Sequence, residues 1–246
     1  YKMLIANWKM NGTGAMIEKW IEGINLSVPE DIQTKCVFCP PVCFLAHASY
    51  LIKKKGLKIS LGAQDIDPST KGSLTGGISG TMLNELGCQY VIIGHSERRD
   101  IYREEDSLLL NKILSAASAN LKIIFCIGES LEEKEAGETD RVLKQQLEIA
   151  SRAANSTILV AYEPVWAIGT GQSAEPTYIG EVLNNIREQL KSLEIKELLG
   201  VIYGGSVKID SAKSILSLDS VDGLLLGGAS LEENEFSHIA LNSTIN

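Results

Sequence analysis

One carboxylate follows directly on an apolar run and is the residue of this sequence best placed to do chemistry. Residues 159–162 are apolar or aromatic, as is typical of a strand buried on both faces, and Glu163 comes next. Pro164 then ends the strand, because proline has no backbone N–H to donate. A carboxylate at this place is costly to keep charged, so its position favours a functional role. The alternative is an ordinary connection with a helix-capping or salt-bridged glutamate.

The segment after Glu163 is an apolar loop that begins stiffly with proline and has glycines near its end. A loop that swings between two hinges in this way is typical of a lid over a reaction site. The predicted lid residues are Pro164, Val165, Trp166, Ala167, Ile168, Gly169 and Thr170. The sequence therefore predicts a covered site at the end of this strand.

Polar residues also follow other apolar runs. Lys9 follows the first run, and His95 and Glu97 follow the fourth, where a strand turns into a polar helical start. A histidine at a helix N-terminus is disfavoured from being protonated, so His95 is suited to act as a neutral donor, with a structural histidine as the alternative. Lys9 supplies a fixed positive charge, and its neighbours Trp8 and Met10 predict a mostly covered lysine rather than a solvated one.

Two glycine pairs lie after later apolar runs. Gly204-Gly205-Ser206 and Gly227-Gly228 leave backbone N–H groups uncovered, and the second pair leads into a predicted helix start at Ser230. A single pair would favour an ordinary tight turn. Two pairs at neighbouring strand ends, with a helix N-terminus, favour a site for a doubly charged anion.

Three rival sites are less consistent with the sequence. Cys36, Cys39 and Cys43 have the spacing of metal ligands, but residues 36 and 39 of a strand point to opposite faces and no fourth ligand is evident, so we predict no metal. Ser96 is not surrounded by the Gly-x-Ser-x-Gly turn that holds a nucleophilic serine, so we do not expect it to act as a nucleophile. Lys9 as a Schiff-base amine would need to be neutral, and both Glu97 and a bound dianion favour its charged form.

The elements that position these residues alternate regularly between β-rich and helix-patterned runs. The predicted strands span residues 3–7, 36–40, 58–64, 90–94, 122–127, 158–162, 200–203 and 222–226. Alternation without a hairpin signal indicates parallel strands joined by helical crossovers. Eight such units in about 250 residues fit the α/β class and a closed, parallel (β/α)8 barrel. A doubly wound open sheet is the alternative, but its Gly-x-Gly-x-x-Gly turn after the first strand is absent.

Helix starts and domain limits are also predicted. Ser130 with Glu133, and Ser230 with Glu233, have the Ser-x-x-Glu spacing of a capping box. No linker or charge block divides the chain, so we predict one domain over residues 1–246.

Composition limits the classes of function. The 246 residues are 44% hydrophobic and 22% charged with a net charge of −8, which is typical of a globular protein and argues against general nucleic-acid or acidic-membrane binding. Five cysteines, an odd number, favour reduced thiols and a cytoplasmic location. We find no signal segment and no apolar run of membrane-spanning length, so membrane association is not expected.

Over nearly its whole length the chain resembles the triosephosphate isomerase family. The matching stretches are Ala6-Asn7-Trp8-Lys9-Met10-Asn11, Gly94-His95-Ser96-Glu97-Arg98-Arg99, Cys126-Ile127-Gly128-Glu129, residues 162–171, Tyr203-Gly204-Gly205-Ser206-Val207 and Leu226-Gly227-Gly228-Ala229. The resemblance implies a TIM barrel that interconverts dihydroxyacetone phosphate and D-glyceraldehyde 3-phosphate in glycolysis and gluconeogenesis, without cofactor.

The resemblance also implies roles for particular residues. Glu163 would transfer the proton between carbons, while His95 would polarise the carbonyl oxygens as the enediolate forms. Lys9 would stabilise the oxyanion, with Asn7 and Glu97 orienting the polar groups around it. The residues implied to bind substrate are Asn7, Lys9, Gly169, Ser206, Gly227 and Gly228. The carboxylate base, the neutral histidine and the closing loop are those known for the family, so these roles are inferred from the resemblance alone.

The family further implies a homodimer in which the third loop, residues 65–79, enters a pocket of the neighbouring subunit. The predicted interface residues are Leu74, Thr75 and Gly76. The family's usual Thr-Gly-Glu ends here in Gly77, so the acidic partner expected for Arg98 is missing, and Asp65 stands where the family commonly has Asn. We therefore predict a dimer that dissociates more readily than those of relatives.

Overall fold

The β-rich runs form parallel strands that pair in chain order and close into a barrel. The structure is a computed structural model that describes residues 1–153, 155–168 and 174–243. Within those residues eight strands are present, and β8 pairs with β1. The strands are β1 Met3–Asn7, β2 Cys36–Cys39, β3 Ser60–Ala63, β4 Cys88–Ile93, β5 Lys122–Ile127, β6 Thr157–Tyr162, β7 Glu197–Tyr203 and β8 Gly223–Leu226. The predicted closed, parallel (β/α)8 TIM barrel is confirmed.

Helices on the outside connect the strands. They are α1 Gly14–Ser27, α2 Glu30–Gln33, α3 Leu45–Lys55, α4 Gly80–Glu85, α5 Ser96–Asp100, α6 Asp106–Ser118, α7 Leu131–Glu135, α8 Thr139–Ser151, α9 Pro176–Leu190, α10 Ile209–Leu216 and α11 Glu233–Leu241. No helix among the described residues is both long and apolar enough to span a membrane.

One of the two predicted capping boxes is present. Ser130 accepts from the backbone N–H of Glu133, whose carboxylate accepts in return from the backbone of Ser130, and α7 begins there. The second prediction is wrong, because α11 begins only at Glu233. The Ser230 hydroxyl instead donates to the carbonyl of Gly227 within a short 3₁₀ turn. The serine hydroxyl thus donates within the turn, and α11 begins only after that turn.

The strands separate two apolar layers. Side chains such as Ile124 and Leu159 fill the barrel interior, and the larger layer lies between the strands and the helices. In that outer layer Trp8 and Trp20 are almost fully buried, and both indole N–H groups donate to the carbonyl of Ser230, at 3.0 and 2.9 Å. The first βα unit is thus bonded directly to the segment after β8.

The cysteines are dispersed over these layers. Cys36 lies in the outer layer and Cys39 in the barrel interior, on opposite faces of β2 as expected. Each cysteine is a free thiol, and burial raises the pKa of Cys36 and of Cys88 to about 12. The described residues contain no group of three or more His, Cys, Asp or Glu side chains placed to hold a metal ion.

Arg98 does not lack an acidic partner, contrary to the sequence prediction. Its guanidinium lies 2.7 Å from the carboxylate of Asp65 and 2.7 Å from that of Glu104. Lys112 contacts the same two carboxylates, at 2.6 and 2.5 Å. Asp65 therefore supplies the negative charge that Gly77 does not. Lys112 and Glu104 are nearly fully buried, and each has a second charged partner in this group of four.

Candidate active site

The carboxyl ends of the strands bring most of the predicted site residues around one cavity of about 270 Å³. The lining residues are Asn7, Lys9, His95, Glu163, Ile168, Gly204, Gly205, Ser206, Val207, Lys208, Leu225, Gly227, Gly228 and Ala229. Glu97 lines an adjoining cavity of about 140 Å³ that also contacts Asn7, Lys9 and His95. Residues far apart in the chain meet here because parallel barrel strands all end at the same mouth.

Glu163 is held by its backbone and by both carboxylate oxygens. Its backbone N–H donates to the carbonyl of Ile127 at 2.7 Å, which continues the β5–β6 pairing past the end of β6. One carboxylate oxygen lies 2.9 Å from Nε2 of His95, and the other accepts from the backbone N–H of Ser96 at 3.1 Å. With 2% of its surface exposed, Glu163 is a buried carboxylate whose two oxygens each have a donor.

The geometry around His95 indicates a neutral ring. His95 is the N-cap residue of α5, and its Nδ1 accepts from the backbone N–H of Glu97 at 3.2 Å. A nitrogen that accepts a hydrogen bond carries no proton, so the ring proton lies on Nε2 and faces Glu163. The neutral state predicted for His95 agrees with this hydrogen bond but is opposed by the charge of the nearby carboxylates, and it stays a prediction.

Burial and the neighbouring groups shift the pKa values of Glu163 and His95 in opposite directions. Burial by itself raises the pKa of Glu163, but the nearby His95, the Ser96 amide and Lys9 outweigh it and lower the pKa below its ordinary value. Burial by itself lowers the pKa of His95, whereas the carboxylates of Glu163 and Glu97 raise it above its ordinary value. Glu163 is therefore stabilised as a carboxylate, ready to accept a proton.

Replacing Glu163 by glutamine should lower the pKa of His95. The variant loses the negative charge that favours the imidazolium, while burial and Lys9, which oppose it, remain. NMR titration of labelled histidines measures the shift, with His47 and His238 as internal references. An unchanged or higher pKa in the variant would contradict the charge argument, and an imidazolium at neutral pH in the unaltered protein would contradict the neutral ring.

Lys9 is held in an unusual backbone conformation. Its φ of 53° is in the left-handed region, which a residue with a side chain adopts at a cost of about 1–3 kcal/mol and which is common at functional sites. The Asn7 side chain accepts from the Lys9 N–H at 3.1 Å, and the Gln64 amide donates to the Lys9 carbonyl at 2.9 Å. The ammonium lies 2.6 Å from Glu97. The ion pair with Glu97 fixes the position of the ammonium at the edge of the cavity.

Lys9 is only partly buried, although the sequence predicted a mostly covered lysine. Trp8 is fully buried, but Met10 is 96% exposed and lies only at the rim of the adjoining cavity. The Lys9 side chain keeps 30% of its surface exposed, on the side of the cavity.

The two glycine pairs line one wall of the cavity. Among the described residues a Cβ on Gly228 would have no atom within 4 Å, and one on Gly227 would lie 3.9 Å from the Lys9 ammonium nitrogen. Open space over glycine backbone beside a cation is suited to an anion. Lys208 also lines this wall and was missed from the sequence, although its place two residues after Ser206 could have indicated it.

The first part of the predicted lid is folded against neighbouring loops. Val165–Ala167 forms a 3₁₀ turn after Pro164, and Ile168 lines the cavity. The Ser206 hydroxyl donates to the carbonyl of Ala167, so the lid contacts the first glycine pair. The last two predicted lid residues, Gly169 and Thr170, lie outside the described residues. Gly169 is also one of the residues predicted to bind the substrate.

The third loop is well formed within the chain. The Asp67 carboxylate accepts from the backbone N–H of Ile78 at 2.7 Å, which closes the base of the loop. At its tip Leu74 is 51% exposed, and Thr75 and Gly76 are exposed as well. Contact of this tip with a second copy stays a prediction.

Comparison with known proteins shows the family. The sequence model of the family described as triosephosphate isomerase matches residues 2–243. A triosephosphate isomerase from Nitrosococcus oceani is 40% identical over 95% of each chain, and one from Azoarcus sp. is 40% identical over 96% of each. One from Caldanaerobacter subterraneus subsp. tengcongensis is 41% identical over 96% of this chain and 97% of its own.

Proposed function

The chain belongs to the triosephosphate isomerase family, and from that premise we propose how its own residues perform the reaction. The enzyme interconverts dihydroxyacetone phosphate and D-glyceraldehyde 3-phosphate, a step of glycolysis. Both compounds share one enediolate, which forms when a proton leaves the carbon beside the carbonyl. The site must therefore supply a base, charge for the oxyanion and a holder for the phosphate.

Glu163 is the base. Its carboxylate takes the proton from one carbon, and the C–H electron pair forms the carbon–carbon double bond of the enediolate. The resulting carboxylic acid then returns the proton to the neighbouring carbon. The observation that carries this assignment is the buried carboxylate at the cavity wall, stabilised in its charged form by His95 and Ser96.

The oxygens of the enediolate face the other polar groups. Neutral His95 donates from Nε2 once Glu163 turns toward the substrate, and it moves protons between the two oxygens. Lys9 stabilises the oxyanion with its charge, while Asn7 and Glu97 fix its backbone and its ammonium. A donor and a cation set in place before the reaction need no reorganisation as the charge develops.

The phosphate binds on the glycine wall. Gly227, Gly228 and Ser206 line the open space beside Lys9, where backbone N–H groups would bind the phosphate, and the family assigns the same task to Gly169, which lies outside the described residues. Lys208 adds a second positive charge at this end of the cavity. Closure excludes water, which would otherwise let the enediolate expel its phosphate.

One coupled assay tests this function. The purified protein, with no added metal or nucleotide, should convert glyceraldehyde 3-phosphate to dihydroxyacetone phosphate. Absence of turnover with intact folding would refute the proposal. Inactivation by borohydride in the presence of substrate would indicate a Schiff base on Lys9 instead.

The active form is a homodimer whose contact includes the exposed tip at Leu74, Thr75 and Gly76. An exposed leucine at the end of a long, well-formed loop favours burial against another surface. The contact surface is used twice, once by each subunit. The protein works in the cytoplasm, which its free thiols favour.

Gly77→Glu should not strengthen this dimer. Arg98 is already paired with Asp65, and a Cβ at residue 77 would lie 2.9 Å from the Asp67 carboxylate, so a new carboxylate adds repulsion within the loop. We expect a dissociation constant equal to or higher than that of the unaltered protein, measured by analytical ultracentrifugation. Ser73→Glu, which adds the same charge to the exposed part of the loop, is the control. A tighter dimer in Gly77→Glu alone would contradict this.

A further inference from the structure

Lys208 is a cation at the glycine wall that forms no ion pair with any carboxylate of the described residues. It lines the same cavity as Gly228. Asp210 follows two residues later in the chain, yet it does not pair with Lys208. The other lysine of the cavity, Lys9, differs in this respect, because its ammonium lies 2.6 Å from Glu97. The charge of Lys208 is therefore available to a ligand.

The remaining charges around the cavity do not attract an anion. Lys9 and Glu97 offset each other, and Glu163 adds a carboxylate whose pKa is lowered below its ordinary value, chiefly by His95. Without Lys208 these groups would carry a net negative charge, and the whole chain has a net charge of −8. A phosphate ester carries nearly two negative charges at neutral pH, because its second pKa is about 6. Lys208 thus supplies the charge that offsets Glu163.

The backbone of Lys208 is held at the start of α10. Its N–H donates to the Ser211 hydroxyl at 3.0 Å, and its carbonyl accepts from the N–H of Ala212 at 2.9 Å. Ala212, Ile215 and Leu216 of this helix are buried, which fixes the helix start against the barrel. The side chain of Lys208 is exposed, and a lysine carries its charge on a flexible stem of four carbons. The ammonium thus stays near the glycine wall without a fixed contact.

A charge at the rim of a cleft acts on a ligand before the two are in contact. Clefts lined by charge of one sign focus the field and speed the association of ions of the opposite sign. Salt weakens this effect, since the Debye length falls from about 30 Å at 0.01 M to about 8 Å at 0.15 M. The interaction energy is proportional to the charge of the ligand, so a dianion gains about twice the energy of a monoanion at the same place.

We propose that Lys208 is a specificity-determining residue of the isomerase: its charge selects doubly charged over singly charged esters and speeds their capture at the glycine wall. The proposal rests on the proposed function only in taking that wall as the phosphate end of the cavity. Lys208 takes no part in the chemical step. Because its effect acts through solvent, it depends on salt, and loss of the charge lowers kcat/KM rather than kcat.

Lys208→Met and Lys208→Arg test this as a matched pair. Methionine keeps an unbranched side chain but removes the charge, whereas arginine keeps the charge. Lys213→Met is the control, because it removes the same charge from an exposed position of the same helix that does not line the cavity. Since both positions are exposed, all three variants should unfold at the thermal midpoint of the unaltered protein.

The first readout is the Kd of two anions of similar shape, measured by titration calorimetry: the dianion glycerol 3-phosphate and the monoanion glycerol 3-sulfate. At an ionic strength of about 0.01 M, Lys208→Met should raise the Kd of the phosphate ester by roughly 3- to 10-fold and that of the sulfate ester by about the square root of this factor. Lys208→Arg and Lys213→Met should bind both esters as the unaltered protein does. Equal fold-changes for the two esters would overturn the proposal.

The second readout is turnover of glyceraldehyde 3-phosphate at ionic strengths from about 0.01 to 0.15 M. In Lys208→Met, kcat/KM should fall by roughly 3- to 10-fold at the lower end and approach that of the unaltered protein at the upper end, with kcat nearly constant. A loss of kcat/KM that persists at high salt would indicate a direct contact with the phosphate, and a loss of kcat alone would indicate a role in the chemical step. Either result would overturn the proposal.

The two readouts separate this proposal from the proposed function. If the unaltered protein binds the phosphate ester but does not turn over its substrate, the isomerase assignment is refuted, and the comparison of Kd values still decides the role of Lys208. If the unaltered protein turns over its substrate but Lys208→Met keeps the Kd of both esters, the isomerase assignment holds and the role of Lys208 is refuted.

Discussion

Replacement of Glu163 by glutamine is expected to reduce turnover by several orders of magnitude, beyond the roughly 10²–10⁴-fold usual for loss of a general base. The amide keeps the size of the side chain but has almost no affinity for a proton. It also has one acceptor oxygen, whereas the carboxylate accepts from both Ser96 and His95. The steady-state rate in the coupled assay measures the loss.

Binding of a substrate analogue should change much less in this variant, because the glycine wall and Lys9 are intact. Glu175→Gln is the matched control: it makes the same chemical change at an exposed glutamate on the far side of the lid and should leave turnover unaltered. If Glu163→Gln retains more than about a tenth of the activity, the residue is not the general base that this site requires.

Gly128→Ala is expected to produce the second-largest loss. A Cβ at residue 128 would lie 1.7 Å from the carbonyl oxygen of Glu163 and 2.7 Å from its carbonyl carbon. Both are backbone atoms, so no side chain can move aside, and the segment after β5 must separate from the base. Displacement of a catalytic group by about 1 Å costs roughly 10²-fold, so we expect kcat to fall by at least about that factor.

The readout for Gly128→Ala is kcat together with KM and the thermal midpoint. KM should change little, since the phosphate wall lies on β7 and β8. Gly180→Ala on α9 is the control: its new Cβ would lie 3.8 Å from the nearest atom, and alanine favours a helix over glycine by about 1 kcal/mol. Unaltered kcat in a folded Gly128→Ala would show that Glu163 does not depend on this close approach.

The order and type of the strands were predictable because each is a short apolar run between polar segments. Met3–Asn7 and Lys122–Ile127 have both bounds as predicted. β7 begins at Glu197, three residues before the prediction, because the strand continues through Gly200 at a φ of 147° near a shift of register. A glycine in such a run looks like a boundary in the sequence, although the backbone continues across it.

The site residues that come directly after a strand were predictable from the sequence. Glu163, His95 and Lys9 all follow strand ends, and barrel closure alone brings them to one mouth. Interactions across the chain were not predictable. Asp65 pairs with Arg98, 33 residues further on, and the contact of Lys134 with Trp166 depends on how α7 lies against the lid. No periodicity in the sequence marks either contact.

Closure of β8 onto β1 has a consequence for synthesis of the protein on the ribosome. The first strand emerges early, but the strand that covers its free edge ends at Leu226, and Ser230, which binds both Trp8 and Trp20, comes later still. Until then an apolar strand edge and two large aromatic side chains of the nascent chain have no final partners. Unpaired strand edges promote association between chains. The interval between translation of the first and last units is therefore when this enzyme most needs protection by chaperones.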